Sequence, residues 1–306
     1  GWWLLDHAML WSRRFSLLLA ICFVLQIFFP SVCTRETRYY CIQILPDPAS
    51  TKEDPSSILR LDHLVHSYVH PLRPESLGYG YEQVYAHLIA ALKTQQEAFS
   101  SLFIGGGGYV LPRYLETHYP RAHSVVSEID PEVTRINYDL LGLDPRSEIE
   151  TASMDARLYI ARHTSSQHFD FVFGDAFNDF SVPYHLTTVE FHRALKSRMT
   201  PDGVYALNII DDARYGQFLS AMIRTLQTVW GHVYVAPGSA QFEEGRNTIV
   251  LIATDRSLDE KVWNTTMSPA AEYDLFKGHE YARLIQLLDR SVVEAFLAGH
   301  PTPPLT

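Results

Sequence analysis

Cysteine is scarce in this sequence, and its spacing matches no common metal or disulfide pattern. The 306 residues include three cysteines, none of which forms a C-x-x-C pair: Cys22, Cys33 and Cys41. Zinc ribbons require such pairs, and small disulfide-stabilised domains require a denser set. The sequence therefore predicts neither a zinc ribbon nor a disulfide framework.

Convergent metal ligands and runs of basic residues are also lacking. His63 and His66 fall in a segment that reads as an extended hairpin, where alternate side chains point to opposite faces, so these two and His70 should not converge on a metal ion. Lysine and arginine number 25 against 35 aspartates and glutamates, which gives a formal charge of −10. Such a chain repels nucleic acid and attracts cations, so we expect no metal and no nucleic-acid partner.

One apolar run is long enough to suggest a membrane segment. Phe15–Cys33 is nearly uncharged and follows Arg13 and Arg14, but its length lies at the short end of the range for a membrane-spanning helix. Four interpretations remain open: a membrane anchor, a cleaved signal peptide, the last helix of a larger membrane domain, and a buried soluble helix. Membrane association is favoured, with a soluble catalytic domain on a side of the membrane that the flanking arginines leave undetermined.

Strand-like runs that end in glycine or a carboxylate recur through the middle of the chain. The first is Ser101–Ile104, which leads into four glycines, and later runs end at or just before Glu128, Asp155 and Asp175. Strands and helices alternate through this region, which is typical of a mainly parallel sheet covered on both faces. Because the carboxyl ends of parallel strands line one crevice, we expect the glycines and these carboxylates to surround one ligand.

The glycine run and the acidic residue that follows it indicate a nucleoside site. Glycine lets the backbone approach a ligand closely, and Glu128 lies 20 positions after Gly108, near the spacing at which an acidic residue reaches ribose hydroxyls. The third glycine of a pyrophosphate motif is missing, and carboxylates suit a cation better than a phosphate. We expect a sulfonium nucleoside of the S-adenosylmethionine type, with Glu128 on the ribose, Asp155 near the adenine amino group, and the backbone contributed by Gly105, Gly106, Gly107 and Gly108.

From about Tyr39 to Asp255 the chain resembles the polyamine aminopropyltransferases (spermidine and spermine synthases), especially their membrane-fused bacterial relatives. Three segments carry the resemblance: Leu61-Asp62-His63-Leu64-Val65-His66, Gly80-Tyr81-Glu82-Gln83-Val84-Tyr85, and Gly174-Asp175-Ala176-Phe177-Asn178-Asp179 with the residues up to Phe191. They match a Leu-Asp-Gly-x-x-Gln hairpin, a Tyr-x-Glu-Met helix start and an Asp-Ser-Ser-Asp-Pro segment.

The resemblance implies transfer of an aminopropyl group from decarboxylated S-adenosylmethionine, a co-substrate, to an amine such as putrescine, without a further cofactor. Asp175 would orient the amine and accept its proton, Asp179 would hold a cationic amine, and Tyr81, Glu82 and His66 would border the substrate. It also implies a methyltransferase-like (Rossmann-like) α/β fold, and relatives commonly form homodimers.

Three departures from the family pattern leave the donor and acceptor open. Gly108 stands where the family has an aspartate or glutamate that anchors the donor's propylamine. Asp175 and Asp179 are separated by three residues instead of two, and the loop at 236–245 lacks the family's tyrosine. An S-adenosylmethionine-dependent methyltransferase and a non-catalytic nucleoside- or polyamine-binding domain of a membrane protein therefore remain as alternatives. Asp155 and Asp175 could also serve as turn or helix caps.

The pattern of apolar residues predicts three regions and their elements. Residues 1–33 form the anchor or signal-like segment, residues 34–80 a small N-terminal β-region and residues 81–306 the nucleoside-binding catalytic domain. Strands are predicted at Arg38–Ile44 and Ile58–Tyr68. Helices are predicted at Glu82–Phe99 and Tyr281–Leu297, and the end of the chain, Pro301–Thr306, is predicted to be a loose tail.

Overall fold

The computed structural model describes residues 32–162, 168–176, 183–212, 214–238, 245–269 and 285–306, together with residues 15, 16 and 18. Its strands form two sheets. One has four strands, which pair in the order in which they occur along the chain, and the other has seven. A small antiparallel sheet therefore precedes a larger, mostly parallel one, as the sequence predicts.

The N-terminal sheet is a meander in which each strand pairs with the next in antiparallel fashion. Its strands are β1 (Arg35–Glu36), β2 (Cys41–Pro46), β3 (Ser57–Leu61) and β4 (Leu64–Val69). Asp62 in the turn between β3 and β4 has a φ of +53°, and the turn makes the predicted strand region Ile58–Tyr68 a hairpin of two strands.

The second sheet is built from strands that alternate with helices along the chain. In order, the elements are α1 (Gly80–Leu92), β5 (Phe99–Ile104), α2 (Val110–His118), β6 (Ala122–Glu128), α3 (Pro131–Asp139), β7 (Glu150–Ser153), α4 (Ala156–Arg162), β8 (Phe169–Gly174), a 3-10 turn (Tyr184–Leu186), α5 (Val189–Lys196), β9 (Met199–Asp212), α6 (Gln217–Gln227), β10 (His232–Pro237), β11 (Arg246–Thr254), α7 (Glu260–Thr265) and α8 (Arg290–Gly299). Strands β5 to β9 pair in parallel, and β9, β11 and β10 pair antiparallel. This is the methyltransferase-like α/β arrangement that the sequence predicts.

The strand order reverses between β5 and β8, and this reversal positions the candidate site. From β5 the chain moves outward through β6 to β7, and then returns to place β8 on the other side of β5. The helices that follow β5 and β8 leave the sheet in opposite directions, which opens a crevice at the carboxyl ends of these two strands. Gly105 and Asp175 are the residues immediately after them, so both face that crevice.

Burial on both faces explains why the central strands read as continuous apolar runs. Along β5, Phe103 packs into one core cluster, while Leu102 and Ile104 pack into the other. The first cluster also includes Ile42 and Leu59 of the N-terminal sheet. The N-terminal sheet thus shares a core with the larger sheet, which fixes it beside the crevice.

Several predicted boundaries are wrong. The helix predicted to reach Phe99 ends at Leu92, because Phe99 opens the buried strand β5. The first predicted strand begins at Cys41 instead of Arg38. Residues 285–289 are not helical, so the last helix starts at Arg290, and residues 281–284 of that prediction lie outside the described residues.

The end of the chain packs against two helices, so the predicted loose tail at Pro301–Thr306 is also wrong. The Leu305 carbonyl accepts a hydrogen bond from Val189 N (2.9 Å), and Leu305 N donates to Thr225 Oγ1 (2.8 Å). These bonds satisfy backbone groups that would otherwise be exposed at the start of α5 and beside α6.

The cysteine prediction needs correction as well. Cys33 and Cys41 form a disulfide with Cα atoms 5.2 Å apart. Three cysteines are too few to indicate a disulfide framework in the sequence, but the reversal of the chain between β1 and β2 brings these two together. Within the part of the chain that the structure describes, no helix is both long and apolar enough to cross a bilayer. Most of Phe15–Cys33 lies outside that part.

Candidate active site

Two adjoining cavities open at the carboxyl ends of β5 and β8. The larger, of about 230 Å³, is bordered by Glu128, Asp155 and Asp175, and its outer wall comes from the N-terminal sheet and includes His66. The smaller, of about 40 Å³, lies toward the first turn of α1 and is bordered by Tyr81, Glu82 and Asp175. Gly105, Gly107 and Asp175 border both cavities, so Asp175 stands where they meet.

The first glycines adopt a loop that other residues could not form without strain. Gly105 has a φ of +96°, and a Cβ there would lie 3.0 Å from the Asp175 carbonyl oxygen. Gly107 also has a positive φ, of +48°. The loop therefore exposes its backbone to the crevice while letting β5 and β8 approach each other at their ends. Asp175 N donates to the Ile104 carbonyl at 3.0 Å and closes this junction.

Gly108 serves a different purpose, because the space beside it is filled. A Cβ at this position would lie 2.6 Å from Ser67 Cβ and 2.6 Å from Val69 Cγ2. The Gly108 amide donates to Ser67 Oγ at 2.9 Å. Strand β4 thus occupies the place where an acidic side chain at position 108 would begin, and any replacement for that charge must come from another element.

Glu128 is buried at the end of β6 and is held by backbone amides. Its Oε2 accepts a hydrogen bond from Gly106 N at 2.7 Å, and its Oε1 accepts one from Asp130 N at 2.9 Å. Burial raises the pKa of this carboxyl above its usual value, and the two amides oppose the rise. Each oxygen retains a lone pair, and the residue borders the larger cavity, so it can accept hydrogen bonds from vicinal hydroxyls.

Asp155 caps a helix and also borders the larger cavity. One oxygen, Oδ1, accepts a hydrogen bond from Leu158 N at 3.1 Å, as a helix cap does. The other, Oδ2, lies 2.6 Å from Nε2 of His185, and both residues border the larger cavity. Arg157 holds the His185 backbone by donating from Nη1 to its carbonyl at 2.7 Å. His185 is a cavity residue that the sequence reasoning missed, since only the fold brings the 3-10 turn against α4.

Asp175 is positioned by two side chains from different elements. Tyr81 donates its hydroxyl to Oδ2 at 2.7 Å, and Asn208 of β9 donates Nδ2 to Oδ1 at 2.8 Å. Burial raises the pKa of this carboxyl to about 6, although both hydrogen bonds lower it. A carboxyl with this pKa is mostly ionised at neutral pH and still basic enough to take part in proton transfer. Asn208 was also missed, because in the sequence it is one polar residue within an apolar strand.

The other predicted substrate residues divide between the cavities. Glu82 is 4% exposed, and its Oε2 accepts a hydrogen bond from Tyr79 N at 2.9 Å at the start of α1. His66 borders the larger cavity. Asp179 lies outside the described residues. Among the residues that the structure describes, neither cavity is lined by lysine or arginine, so the charge facing a ligand comes from carboxylates.

Comparison with known proteins finds relatives that match part of this chain. The chain is 34% identical over 134 residues to a polyamine aminopropyltransferase from Vibrio vulnificus, covering 44% of each protein. It is 28% identical over 152 residues to a probable polyamine aminopropyl transferase from Bifidobacterium longum, covering 48% of this chain and 32% of that protein. The chain thus spans less than half the length of these two relatives. No protein-family model matches it.

A solved structure shows the same fold over most of the chain. A probable spermidine synthase from Corynebacterium glutamicum superposes with a TM-score of 0.70 at 21% sequence identity, covering 89% of this chain and 95% of that one. At this identity the likeness supports the fold. The arrangement of strands and helices described above is therefore shared with that structure.

Proposed function

We propose that this chain, which is a relative of the polyamine aminopropyltransferases, transfers an aminopropyl group from decarboxylated S-adenosylmethionine to a primary amine. The nitrogen lone pair attacks the carbon attached to the sulfonium, the carbon–sulfur bond breaks, and methylthioadenosine leaves with the bonding electrons. The attacking amine is neutral, so the product nitrogen keeps its two hydrogens and takes over the positive charge that the sulfur loses. The observation that carries the proposal is the placement of Asp175 at the meeting point of the two cavities.

Asp175 is proposed to accept the proton that the amine loses before it attacks. A free alkylamine is mostly protonated at neutral pH, as the lysine side chain is, and it cannot attack until it loses that proton. With a pKa of about 6, Asp175 is ionised near neutral pH and can accept a hydrogen bond from the amine and take its proton. Tyr81 and Asn208 fix the direction of the carboxylate, which aligns the nitrogen with the bond that breaks.

The larger cavity is proposed to hold the nucleoside. Glu128 would accept hydrogen bonds from the ribose hydroxyls, while Gly105 to Gly108 provide a backbone surface close to the ligand. Asp155 and His185 would lie beside the adenine. The cavity is large enough for only part of a drug-sized ligand, so the aminopropyl chain would extend past Asp175 toward the smaller cavity.

Glu82 is proposed to bind the ammonium at the far end of the donor's aminopropyl chain. The family's carboxylate for this group would stand at position 108, where Ser67 and Val69 leave no space. Glu82 borders the smaller cavity from α1, on the other side of the glycine loop. It would therefore supply the missing negative charge from a different element. His66 and Asp179 are proposed to contact the acceptor amine.

The test is an assay of the full chain with decarboxylated S-adenosylmethionine and a panel of diamines and polyamines, followed by mass spectrometry. We expect equal amounts of methylthioadenosine and of one amine extended by an aminopropyl group. The panel identifies the acceptor. Tight nucleoside binding without either product would overturn the proposal and favour a domain that only senses its ligand.

The closed space at Gly108 favours a second candidate, an S-adenosylmethionine-dependent methyltransferase. Without a carboxylate at position 108, the site has less reason to prefer the decarboxylated donor. The same assay with intact S-adenosylmethionine distinguishes the two. Release of S-adenosylhomocysteine together with a methylated amine would support methyl transfer, whereas release of methylthioadenosine supports aminopropyl transfer.

Membrane association through residues 1–33 and a homodimer remain part of this proposal. The apolar run after Arg13 and Arg14 supports the first, and the family resemblance suggests the second. The Cys33–Cys41 disulfide favours an oxidising compartment for the folded domain. Fractionation of cells that express the full chain, with thiol labelling before lysis, tests location and side. Light scattering in detergent tests the dimer, and a monomeric mass would contradict it.

A further inference from the structure

The segment Cys33–Cys41, which we call the clasp, forms part of the outer wall of the larger cavity. Tyr39 and Tyr40, at its end, border the cavity across from the strand ends. The Tyr40 ring also packs against the core cluster shared by the two sheets. The sequence reasoning assigned no role to the clasp, because nothing in its composition marks a ligand site.

The clasp is held at its base by covalent and backbone contacts. The Cys33–Cys41 disulfide joins its two ends. Within it, the two residues of β1 pair with β2, and Thr34 Oγ1 accepts a hydrogen bond from Ile44 N at 2.9 Å. Cys41 N donates to Asp62 Oδ1 at 2.8 Å and ties the clasp to the β3–β4 turn. Because such a short strand gives little stability by itself, the disulfide adds a covalent restraint to the first half of the clasp.

Polar contacts join the clasp to the elements that hold Glu128. Thr37 Oγ1 donates to Asp130 Oδ2 at 2.6 Å, and Arg35 Nη1 donates to Glu132 Oε2 at 2.6 Å. Asp130 is the N-cap of α3, and its amide donates to Glu128. Thr37 Oγ1 also accepts from Tyr40 N at 2.9 Å. A chain of hydrogen bonds therefore connects the position of Tyr40 with that of the carboxylate proposed to hold the ribose.

Tyr40 has the properties of a ligand-binding aromatic residue. Burial and the nearby charges of Glu128 and Asp130 raise the pKa of its phenol, so the hydroxyl stays protonated. An aromatic ring offers a flat apolar surface to a sugar or a base, and its hydroxyl offers a donor at the rim. Tyr39 adds a second ring, whose centroid is 6.4 Å from that of Tyr40.

We propose that Tyr40 binds the nucleoside and that the Cys33–Cys41 disulfide positions it, so that nucleoside affinity depends on the oxidised state of this pair. The inference rests on the proposed nucleoside site, but not on which group is transferred. Reduction by a water-soluble phosphine breaks the S–S bond and yields two thiols. The phosphine supplies two electrons and becomes the phosphine oxide, with its oxygen taken from water.

The experiment measures binding of methylthioadenosine by calorimetry to the oxidised chain, the phosphine-reduced chain, and the Cys33→Ser/Cys41→Ser variant. We expect the dissociation constant to rise about tenfold in the last two, as for loss of one well-placed contact. Tyr40→Ala should weaken binding by a similar factor in the oxidised chain. In the reduced chain it should add little, because the two changes remove the same contact. The double-serine variant must not respond to the phosphine.

Two readouts separate positioning from general unfolding. Reduction should raise the KM for the donor while leaving kcat at saturating donor nearly unchanged, and the near-ultraviolet circular dichroism should persist. Tyr215→Ala, at an exposed tyrosine that borders neither cavity, should leave affinity unchanged. Equal affinity in the oxidised and reduced chains, or unchanged affinity in Tyr40→Ala, overturns the inference alone. Absence of binding to the oxidised wild-type chain overturns the nucleoside site with it.

Discussion

Tyr81 donates a hydrogen bond from its hydroxyl to Asp175 Oδ2 across 2.7 Å, and so joins the first turn of α1 to the end of β8. The two residues are 94 positions apart in the sequence. Tyr81 is buried, and burial together with the Asp175 charge raises the pKa of its phenol far above the usual value. The tyrosine therefore remains protonated and a donor at neutral pH, and Asp175 is held as an acceptor.

Replacing Tyr81 by phenylalanine should shift the pH dependence of the transfer reaction. The hydrogen bond from Tyr81 lowers the pKa of Asp175, which burial has raised to about 6. Without the bond this pKa rises further, so the acidic limb of the kcat profile should move to higher pH. We also expect kcat at the optimum to fall about tenfold, since the carboxylate loses one of its two positioning donors.

Tyr85→Phe is the matched control for this change. Tyr85 packs against Tyr81 and is also buried, but its hydroxyl donates to the Gly174 carbonyl at 3.1 Å instead of to the carboxylate. Its profile should keep the wild-type midpoint. An unshifted midpoint in Tyr81→Phe, with full activity, would mean that Asp175 does not control the acidic limb.

Asp175→Asn should abolish transfer and stabilise the fold. Loss of the proton acceptor should reduce kcat by about 100-fold or more, whereas affinity for methylthioadenosine should stay near the wild-type value. The folded-state pKa of Asp175 lies above its unfolded value, so the carboxyl loses stability as the pH rises from about 4 to about 6. At neutral pH the uncharged amide avoids that penalty, by an amount on the order of 1–3 kcal/mol.

Denaturant unfolding at several pH values checks the second half of this prediction. The stability difference between Asp175→Asn and the wild type should shrink as the pH falls from about 6 to about 4, and it should be absent below about 4, where both side chains are neutral. Asp144→Asn is a useful contrast, because its exposed carboxyl has a pKa lowered to about 2 by Arg146. That variant should be no more stable than the wild type at neutral pH. Retained turnover in Asp175→Asn would remove Asp175 from the mechanism.

Some site residues are marked by a pattern in the neighbouring sequence, and these could be predicted. Others are brought to the site only by the fold, and these were missed. Glu128, Asp155 and Asp175 each lie at or just after the carboxyl end of a parallel strand, and parallel topology alone brings such ends together. His185 and Asn208 reach the site through pairings between distant elements, so no nearby pattern marks them. The disulfide and the docked tail depend in the same way on how the chain reverses. The site's carboxylates, and Tyr81 through the family resemblance, could therefore be predicted, whereas His185 and Asn208, which contact two of those carboxylates, could not.

Gly108→Ala tests whether the family's acidic residue could be restored at this position. The added methyl group would overlap Ser67 and Val69, so we expect a loss of about 1–3 kcal/mol in the free energy of unfolding. Ser67→Gly should recover part of that loss, because it removes the nearest atoms. Gly299→Ala meets no atoms within 4 Å and should leave the melting temperature unchanged or higher. If Gly108→Ala is as stable as the wild type, β4 can move away from position 108 at little cost, and an acidic residue could be accommodated there.

Glu82→Gln addresses how the chain binds its donor without a carboxylate at position 108. Glutamine keeps an oxygen that can accept the Tyr79 amide, so the start of α1 should remain intact while the negative charge is lost. Affinity for decarboxylated S-adenosylmethionine should then fall by about 10- to 100-fold, the effect of removing a charged hydrogen-bond partner. Methylthioadenosine lacks the ammonium, so its affinity should not change.

Glu97→Gln is the matched control. Glu97 is an exposed glutamate that likewise accepts a hydrogen bond from a backbone amide, and its replacement should change the affinity for neither ligand. An equal loss of affinity for both nucleosides would indicate that the start of α1 is distorted. No loss of affinity for either would mean that another group binds the ammonium. That result would contradict the role of Glu82 but not the proposed transfer reaction.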